Sequence, residues 1–194
     1  MVVDDGSRDD TVAIAEAWEP PVRVLRQDDL GPAATRNRGA AEATGDLLAF
    51  LDPDDRWLPD KLAVQVAHLA DHPEAGGCVS LVRQVWAEGF DVEAEHYADH
   101  ARMAEGGVPG YATTCLLVRR EAWERVGPLD PQRWYSDATE WFVRAREVGV
   151  QIDLVEEVLT LHRLHGDNLT RRRTEASADE FLDLVHRHLR DRRR

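Results

Sequence analysis

The sequence predicts an α/β protein with a mostly parallel sheet flanked by helices. Short apolar runs alternate with amphipathic stretches at helical spacing, the pattern of strand–helix units. Two of those runs end directly in clusters of aspartate, where open α/β sheets place their ligands. With 194 residues, 43% of them hydrophobic and 31% charged, the chain has a globular composition and enough length to bury a core.

"MVV" reads as a strand stub, and Ser7 with Asp10 forms a capping-box pattern for a helix carrying Val12, Ile14, Ala15 and Trp18 that stops at "EPP". "VRVLR" is a second strand. In "LGPAATRNRGAAEATGD" a loop leads to a helix, with Pro32 in its first turn and Gly45 past its end. "LLAFL" is short and uniformly apolar, as a central parallel strand is. "LPDKLAVQVAHLADHP" is a helix with Leu62, Val66 and Leu69 on one face, and "CVSLVRQVW" a strand. From about 88 to 109 the pattern fades into a polar stretch with His96, Tyr97 and His100. A strand "YATTCLLVRR", a short helix "REAWERVG" and a longer one, "TEWFVRAREVG", closed by Gly149, come next. "VEEVLTLHRLHGDN" is a strand running into a loop, and "EASADEFLDLVHRHL" an amphipathic closing helix.

A formal net charge of −13 argues against general nucleic-acid binding. The ending "RHLRDRRR" reverses the sign locally. It reads as a solvated helix end, or as a weak anchor for anionic lipid or an acidic partner, which makes peripheral membrane contact an expectation. No run is long enough for a membrane span and no signal peptide is apparent. Cys78 and Cys115 lack metal-ligand spacing, so buried, reduced thiols and a cytoplasmic setting are expected.

The chemistry lies in the acids. "FLDPDDRW" places Asp52, Asp54 and Asp55 after one apolar strand, and Asp4 and Asp5 end the first. Asp-Pro-Asp is also ordinary turn chemistry. Two such clusters at strand ends can face one crevice, and a hard divalent cation with phosphate oxygens needs one or two carboxylates in an open coordination sphere.

"VVDDGSRDDT", "GPAATRNRGAAEATGDLLAFLDPDD" with the following W, P and KL, and "VRREAWERVGPLD" together resemble the family 2 nucleotide-sugar glycosyltransferases of the GT-A fold, over residues 2 to about 170. The resemblance implies a GT-A-like domain over 1–170, with an amphipathic helix and basic tail over 171–194. It implies metal-dependent, inverting transfer of a sugar from a nucleotide-diphosphate sugar to a hydroxyl of a glycan, lipid or protein acceptor. It also assigns residues: Asp4 and Asp5 beside the base and ribose, Arg36 and Asn37 on the nucleotide, and Asp52 on ribose or sugar. Asp54, Asp55 and His165, with Arg163 and Asn168 beside the last, would hold Mg²⁺ or Mn²⁺ on the diphosphate. The family's catalytic base lies in an acidic pair before a helix. Aligning on "WFVRA" sets Asp137 and Ala138 opposite that pair, with alanine at the usual base position. Asp137, Glu140 one turn on, or a vacant base site are the readings. Acids that merely cap the helix are the plainer alternative. His162 reads as strand-surface decoration and Trp57, Trp123, Trp134 and Trp141 as packing, with Trp134 and Tyr135 placed to stack on sugar.

Members of the family carry a further strand and helix ahead of "VVDDGS". The chain therefore reads as N-terminally truncated, and a three-residue strand leaves an apolar sheet edge. A misassigned start is the preferred explanation. A decayed remnant, or a partner chain or oligomer covering the edge, are the others. The competing function is a non-catalytic GT-A-fold protein that binds a nucleotide sugar, a glycan or a partner chain.

Overall fold

The computed structural model describes residues 1–19, 22–86, 106–166, 168 and 174–191. His96, Tyr97 and His100 lie outside the described residues. Strand β1 (Val2–Asp4) pairs in parallel with β2 (Val24–Arg26) across helix α1 (Thr11–Glu16). Helix α2 (Pro32–Glu42) leads to β3 (Leu47–Ala49), β4 (Arg56–Trp57) and helix α3 (Lys61–Asp71). Then come β5 (Gly77–Trp86), β6 (Val108–Pro109), a 3₁₀ turn at Thr113–Cys115, and β7 (Leu116–Arg119). Helices α4 (Arg120–Val126) and α5 (Asp137–Glu147), strand β8 (Ile152–Leu164) and helix α6 (Thr174–Asp191) complete the order. No helix among the described residues is long and apolar enough to cross a membrane.

The larger sheet has the order β3-β7-β5-β8-β4, with β6 also on β5. Its longest pairing, β5 with β8 from Gly77↔Ile152 to Trp86↔Leu164, is parallel, while β3–β7, β5–β7, β5–β6 and β4–β8 are antiparallel. The α/β class stands, with more antiparallel pairing than the alternation suggested. "LLAFL" is corrected: β3 heads the sheet and pairs antiparallel with β7, because β7 runs back between β3 and β5. A uniformly apolar strand needs cover on both faces, and that cover does not require a central position.

Alternation along the strands divides the core into two layers. Val79, Leu116 and Val118 pack with α2, α4 and α5, whereas Cys78 and Leu117 pack with Leu69 of α3. On the first face an aromatic row runs from Phe50 to Trp123 (5.1 Å), Trp141 (5.3 Å) and Phe142 (5.4 Å). Trp123 and Trp141 are thus the packing residues expected.

Two readings of the helices are corrected. α1 starts at Thr11, and the Asp9 carboxylate, not Ser7, accepts from its first N–H at 3.0 Å. α3 buries Lys61, Gln65 and Leu69, while Leu62 and Val66 face outward. The reason is a buried polar chain. Lys61 Nζ donates to Gln65 Oε1 (2.5 Å), and Gln65 Nε2 donates to the carbonyls of Cys78 (3.2 Å) and Cys115 (2.9 Å). The ammonium also lies 4.5 Å from the centre of the Trp57 ring. Burial lowers the Lys61 pKa to about 8 and raises that of Cys78 to about 11, with Cys115 raised as well. Both cysteines are free and buried.

Candidate active site

The five predicted acids stand at the carboxyl ends of β1 and β3 or just beyond them. The first cluster is bonded to backbone. Asp4 Oδ1 accepts from the Ser7 N–H at 3.2 Å. Asp5 accepts from the N–H groups of Leu30 (2.9 Å) and Gly31 (2.8 Å) and from Gln27 Nε2 (2.8 Å). Partial burial alone would raise the Asp5 pKa, but these bonds outweigh it and hold the group below its usual value. Gly31 has φ +87, and a Cβ there would meet the Trp134 ring at 3.1 Å. Glycine is required for both the backbone and the approach of Trp134.

The second cluster is bonded to side chains. Arg36, in α2, donates to Asp52 through Nη2 (2.7 Å to each oxygen) and Nε (3.1 Å), and through Nη1 to Asp137 Oδ2 (2.9 Å). One guanidinium thereby joins the acid after β3 to the first residue of α5, with only 18% of its side chain exposed. Burial lowers the Arg36 pKa, but the two carboxylates more than offset that, so it stays charged. Asp137 Oδ1 accepts from the Ala138 N–H at 2.8 Å. Burial raises the Asp137 pKa despite Arg36 and that N–H.

The two candidate bases occupy different surroundings. Asp137 lies in the Arg36 clamp, whereas Glu140 Oε1 accepts from Arg144 Nε at 2.7 Å, along α5. Glu140 Oε2 is buried without a hydrogen-bond partner. Asn37 makes a two-way amide pair with the backbone of Leu129, 2.8 Å in each direction, tying α2 to the segment before α5.

Asp54 Oδ2 accepts from Asn168 Nδ2 (3.0 Å) and lies 3.3 Å from His165 Nε2. Asn168 also donates to the Arg163 carbonyl (3.1 Å) and accepts from the His165 N–H (2.6 Å), which folds the turn after β8 onto the acid. Asp55 points elsewhere: its side chain is 1% exposed and its Oδ1 lies 2.7 Å from His162 Nδ1. His162 is therefore no surface decoration. The bond to Asp55 raises its pKa, and burial opposes the rise.

No local pattern marks Glu180 in the sequence. It projects from α6 and accepts from three successive N–H groups, Trp134 (3.0 Å), Tyr135 (3.1 Å) and Ser136 (3.1 Å), and from Ser136 Oγ (3.0 Å). Burial acts to raise its pKa, and these bonds lower it below the usual value. Arg133 Nη2 reaches Asp183 at 3.3 Å. The turn that delivers Asp137 is thus held from the far end of the chain.

For a hard divalent cation the donor set fits in part. Asp54 and His165 are 29% and 24% exposed and adjoin, giving a carboxylate and an imidazole of the kind Mn²⁺ accepts. Asp52 is engaged by Arg36 and Asp55 by His162. Among the described residues these acids do not form a three-ligand cluster; that geometry occurs at His68, His72 and Asp153.

Comparison with known proteins completes the picture. An uncharacterised glycosyltransferase of Nostoc sp. is 29% identical over 183 residues, 87% of this chain and 56% of that protein. The succinoglycan biosynthesis protein ExoO of Rhizobium meliloti is 30% identical over 162 residues, 82% of this chain and 46% of its own length. The chain spans about half the length of the curated relatives it matches. In structure it resembles the mannosyltransferase PcManGT of Pyrobaculum calidifontis, solved with GDP-Man and Mn²⁺ (TM-score 0.69, 21% identity, 97% of this chain and 54% of that one). It also resembles S. aureus TarS solved with UDP (TM-score 0.63, 17% identity, 85% and 51%). These neighbours share the GT-A fold. Residues 1–127 match the glycosyl transferase family 2 profile, and the chain belongs to that family.

Proposed function

We propose that this chain transfers a glycosyl group from a nucleotide-diphosphate sugar to an acceptor hydroxyl of a glycan, lipid or protein, with inversion and with Mg²⁺ or Mn²⁺. The observation that carries the reading is the Arg36 bridge between Asp52 and Asp137. It links the donor side of the pocket to the base. Structural neighbours solved with UDP and with GDP-Man and Mn²⁺ support the donor class.

Asp54 and His165 would hold the ion, which when bound stabilises negative charge on the departing diphosphate. Arg36 orients Asp52 toward ribose or sugar and keeps a positive charge beside the same leaving group. Asp5 and Asn37 act behind the nucleotide. Asp5 fixes the loop at Leu30 and Gly31, and Asn37 fixes the approach to α5. Asp4 caps the turn at the end of β1. Asp55 sets the orientation of His162 at the edge of the ion site.

Asp137 is the base in this reading. As the acceptor oxygen bonds to the anomeric carbon and the sugar–diphosphate bond breaks, the hydroxyl proton passes to Asp137. A carboxylate with a raised pKa is the better proton acceptor. Glu140 is the second candidate, and its unpartnered Oε2 is the observation in its favour. Contact of α6 with an anionic membrane surface, through the exposed Phe181 and Leu182, belongs to the same reading, as does a cytoplasmic setting.

Calorimetry tests the donor site. UDP and GDP titrated into the chain with Mn²⁺ are expected to bind, and Asp54→Asn to weaken the metal-dependent part about tenfold or more. Affinity unchanged in Asp54→Asn removes the acid from the metal assignment. Nucleotide binding with no transfer to any acceptor favours the non-catalytic binding reading.

A further inference from the structure

We propose that His68, His72 and Asp153 form a site for a borderline divalent ion of the zinc class, which clips the end of α3 to the start of β8. The site lies apart from the acids after β3: Asp153 opens β8, whereas His162 and His165 stand at its other end.

The three residues each offer a ligand atom, and all three atoms lie within 4.8 Å of one another. His68 Nε2 is 3.0 Å from Asp153 Oδ2. Ligand atoms around a tetrahedral ion with bonds of about 2.0–2.1 Å sit roughly 3.3 Å apart, so this pair is already at chelating distance. His68 and His72 are four residues apart, the spacing that sets two imidazoles on one helix face. Their rings stack with centroids 4.2 Å apart.

The hydrogen bonds prepare two of the three ligands, His72 and Asp153. His72 Nδ1 lies 2.8 Å from the His68 carbonyl oxygen. A carbonyl only accepts, so Nδ1 carries the proton and Nε2 is left with its lone pair. This is the usual outer arrangement of a metal-bound histidine. Gln151 Nε2 donates to Asp153 Oδ1 at 2.7 Å, which fixes the carboxylate with Oδ2 toward His68. Without metal, the His68 Nε2 proton bridges to Asp153. The ion takes that proton's place: from the imidazolium form the proton leaves to solvent, and from the neutral ring it moves to Nδ1. All three side chains are half-buried, so solvent ions have access. Two imidazoles and one carboxylate suit Zn²⁺, Ni²⁺ or Cu²⁺ and not Mg²⁺.

The test is titration of ZnCl₂ into the metal-stripped full chain, made in an Asp54→Asn background so that the proposed ion site of Asp54 and His165 loses its carboxylate. The expected result is one equivalent of Zn²⁺ bound in about the micromolar range, not displaced by excess Mg²⁺, with the melting temperature rising as Zn²⁺ is added. His72→Ala and Asp153→Asn should each weaken binding about tenfold or more. Asp153→Asn keeps the side-chain shape, so the comparison survives if His72→Ala folds poorly. No saturable binding below about 100 µM, or an affinity unchanged in Asp153→Asn, overturns the site. Neither outcome touches the glycosyl-transfer reading, since the titration uses no nucleotide.

Discussion

The acids after β1 and the acids after β3 look alike in sequence, each a short aspartate cluster ending an apolar strand. Their partners differ in kind. Asp4 and Asp5 accept from Ser7, Leu30 and Gly31 N–H groups and from Gln27. Asp52, Asp54 and Asp55 face Arg36, His165, Asn168 and His162. A carboxylate satisfied by backbone N–H groups shapes a loop. A carboxylate satisfied by ionisable side chains can exchange those partners for a ligand. The type of partner, more than the spacing of the acids, separates scaffold from site.

The largest effect is expected at the junction of the second cluster with α5. Asp137→Asn keeps the shape and removes the proposed proton acceptor, so transfer should fall about 10²–10⁴-fold with donor affinity retained. Initial rates and calorimetry measure the two. Full transfer in Asp137→Asn, with loss in Glu140→Gln, moves the base one turn along α5.

Next comes the clamp. Arg36→Met leaves Asp52 and Asp137 without their shared cation, and should cost about 3 kcal/mol of stability, read as a shift of the urea midpoint with unchanged slope. A midpoint shift under about 0.5 kcal/mol would show that the clamp contributes only at the site.

Asp5→Ala sharpens the comparison from the other side. Loss of three accepted hydrogen bonds should cost about 1–3 kcal/mol, with nucleotide affinity changed less than about tenfold. Lost affinity at unchanged stability would make the first cluster a direct ligand of the nucleotide.

The smallest effect is the separation of the two clusters by pH. Asp5 has a depressed folded pKa, so its contribution is present above its usual 3.8 and is lost as pH falls through the folded value. His162 has a raised folded pKa, so its contribution is present below its usual 6.5 and is lost as pH rises through the folded value. The stability gap between parent and variant should therefore close as pH falls below 3.8 for Asp5→Ala and as pH rises above 6.5 for His162→Gln. Parallel curves would place both pairs outside the stability of the fold.

Much of this was legible in the chain. The apolar runs located six of the eight strands among the described residues, missing the two-residue β4 and β6, and the aspartates marked the ends of β1 and β3. What escaped notice has a physical reason in each case. Lys61 and Gln65 point inward because two sheet carbonyls and the Trp57 ring receive them, and periodicity counts only apolar residues. His162 lies 107 residues from Asp55, and Glu180 lies 44 to 46 residues from the N–H groups it accepts from. Pairings of that range are made by topology, and no local pattern announces them.

The two thiols in the core carry one more consequence. Cys78 and Cys115 are fully enclosed, and burial pushes both toward the unreactive protonated form. An alkylating reagent meets neither until the sheet opens. Their labelling rate is thus a clock for that opening, built into the protein without any probe, with one hand on each face of the sheet: Cys78 packs beneath α3, and Cys115 within the layer of α2, α4 and α5. Equal rates at the two positions would mean that both layers part as one unit, and unequal rates would name the layer that lifts first.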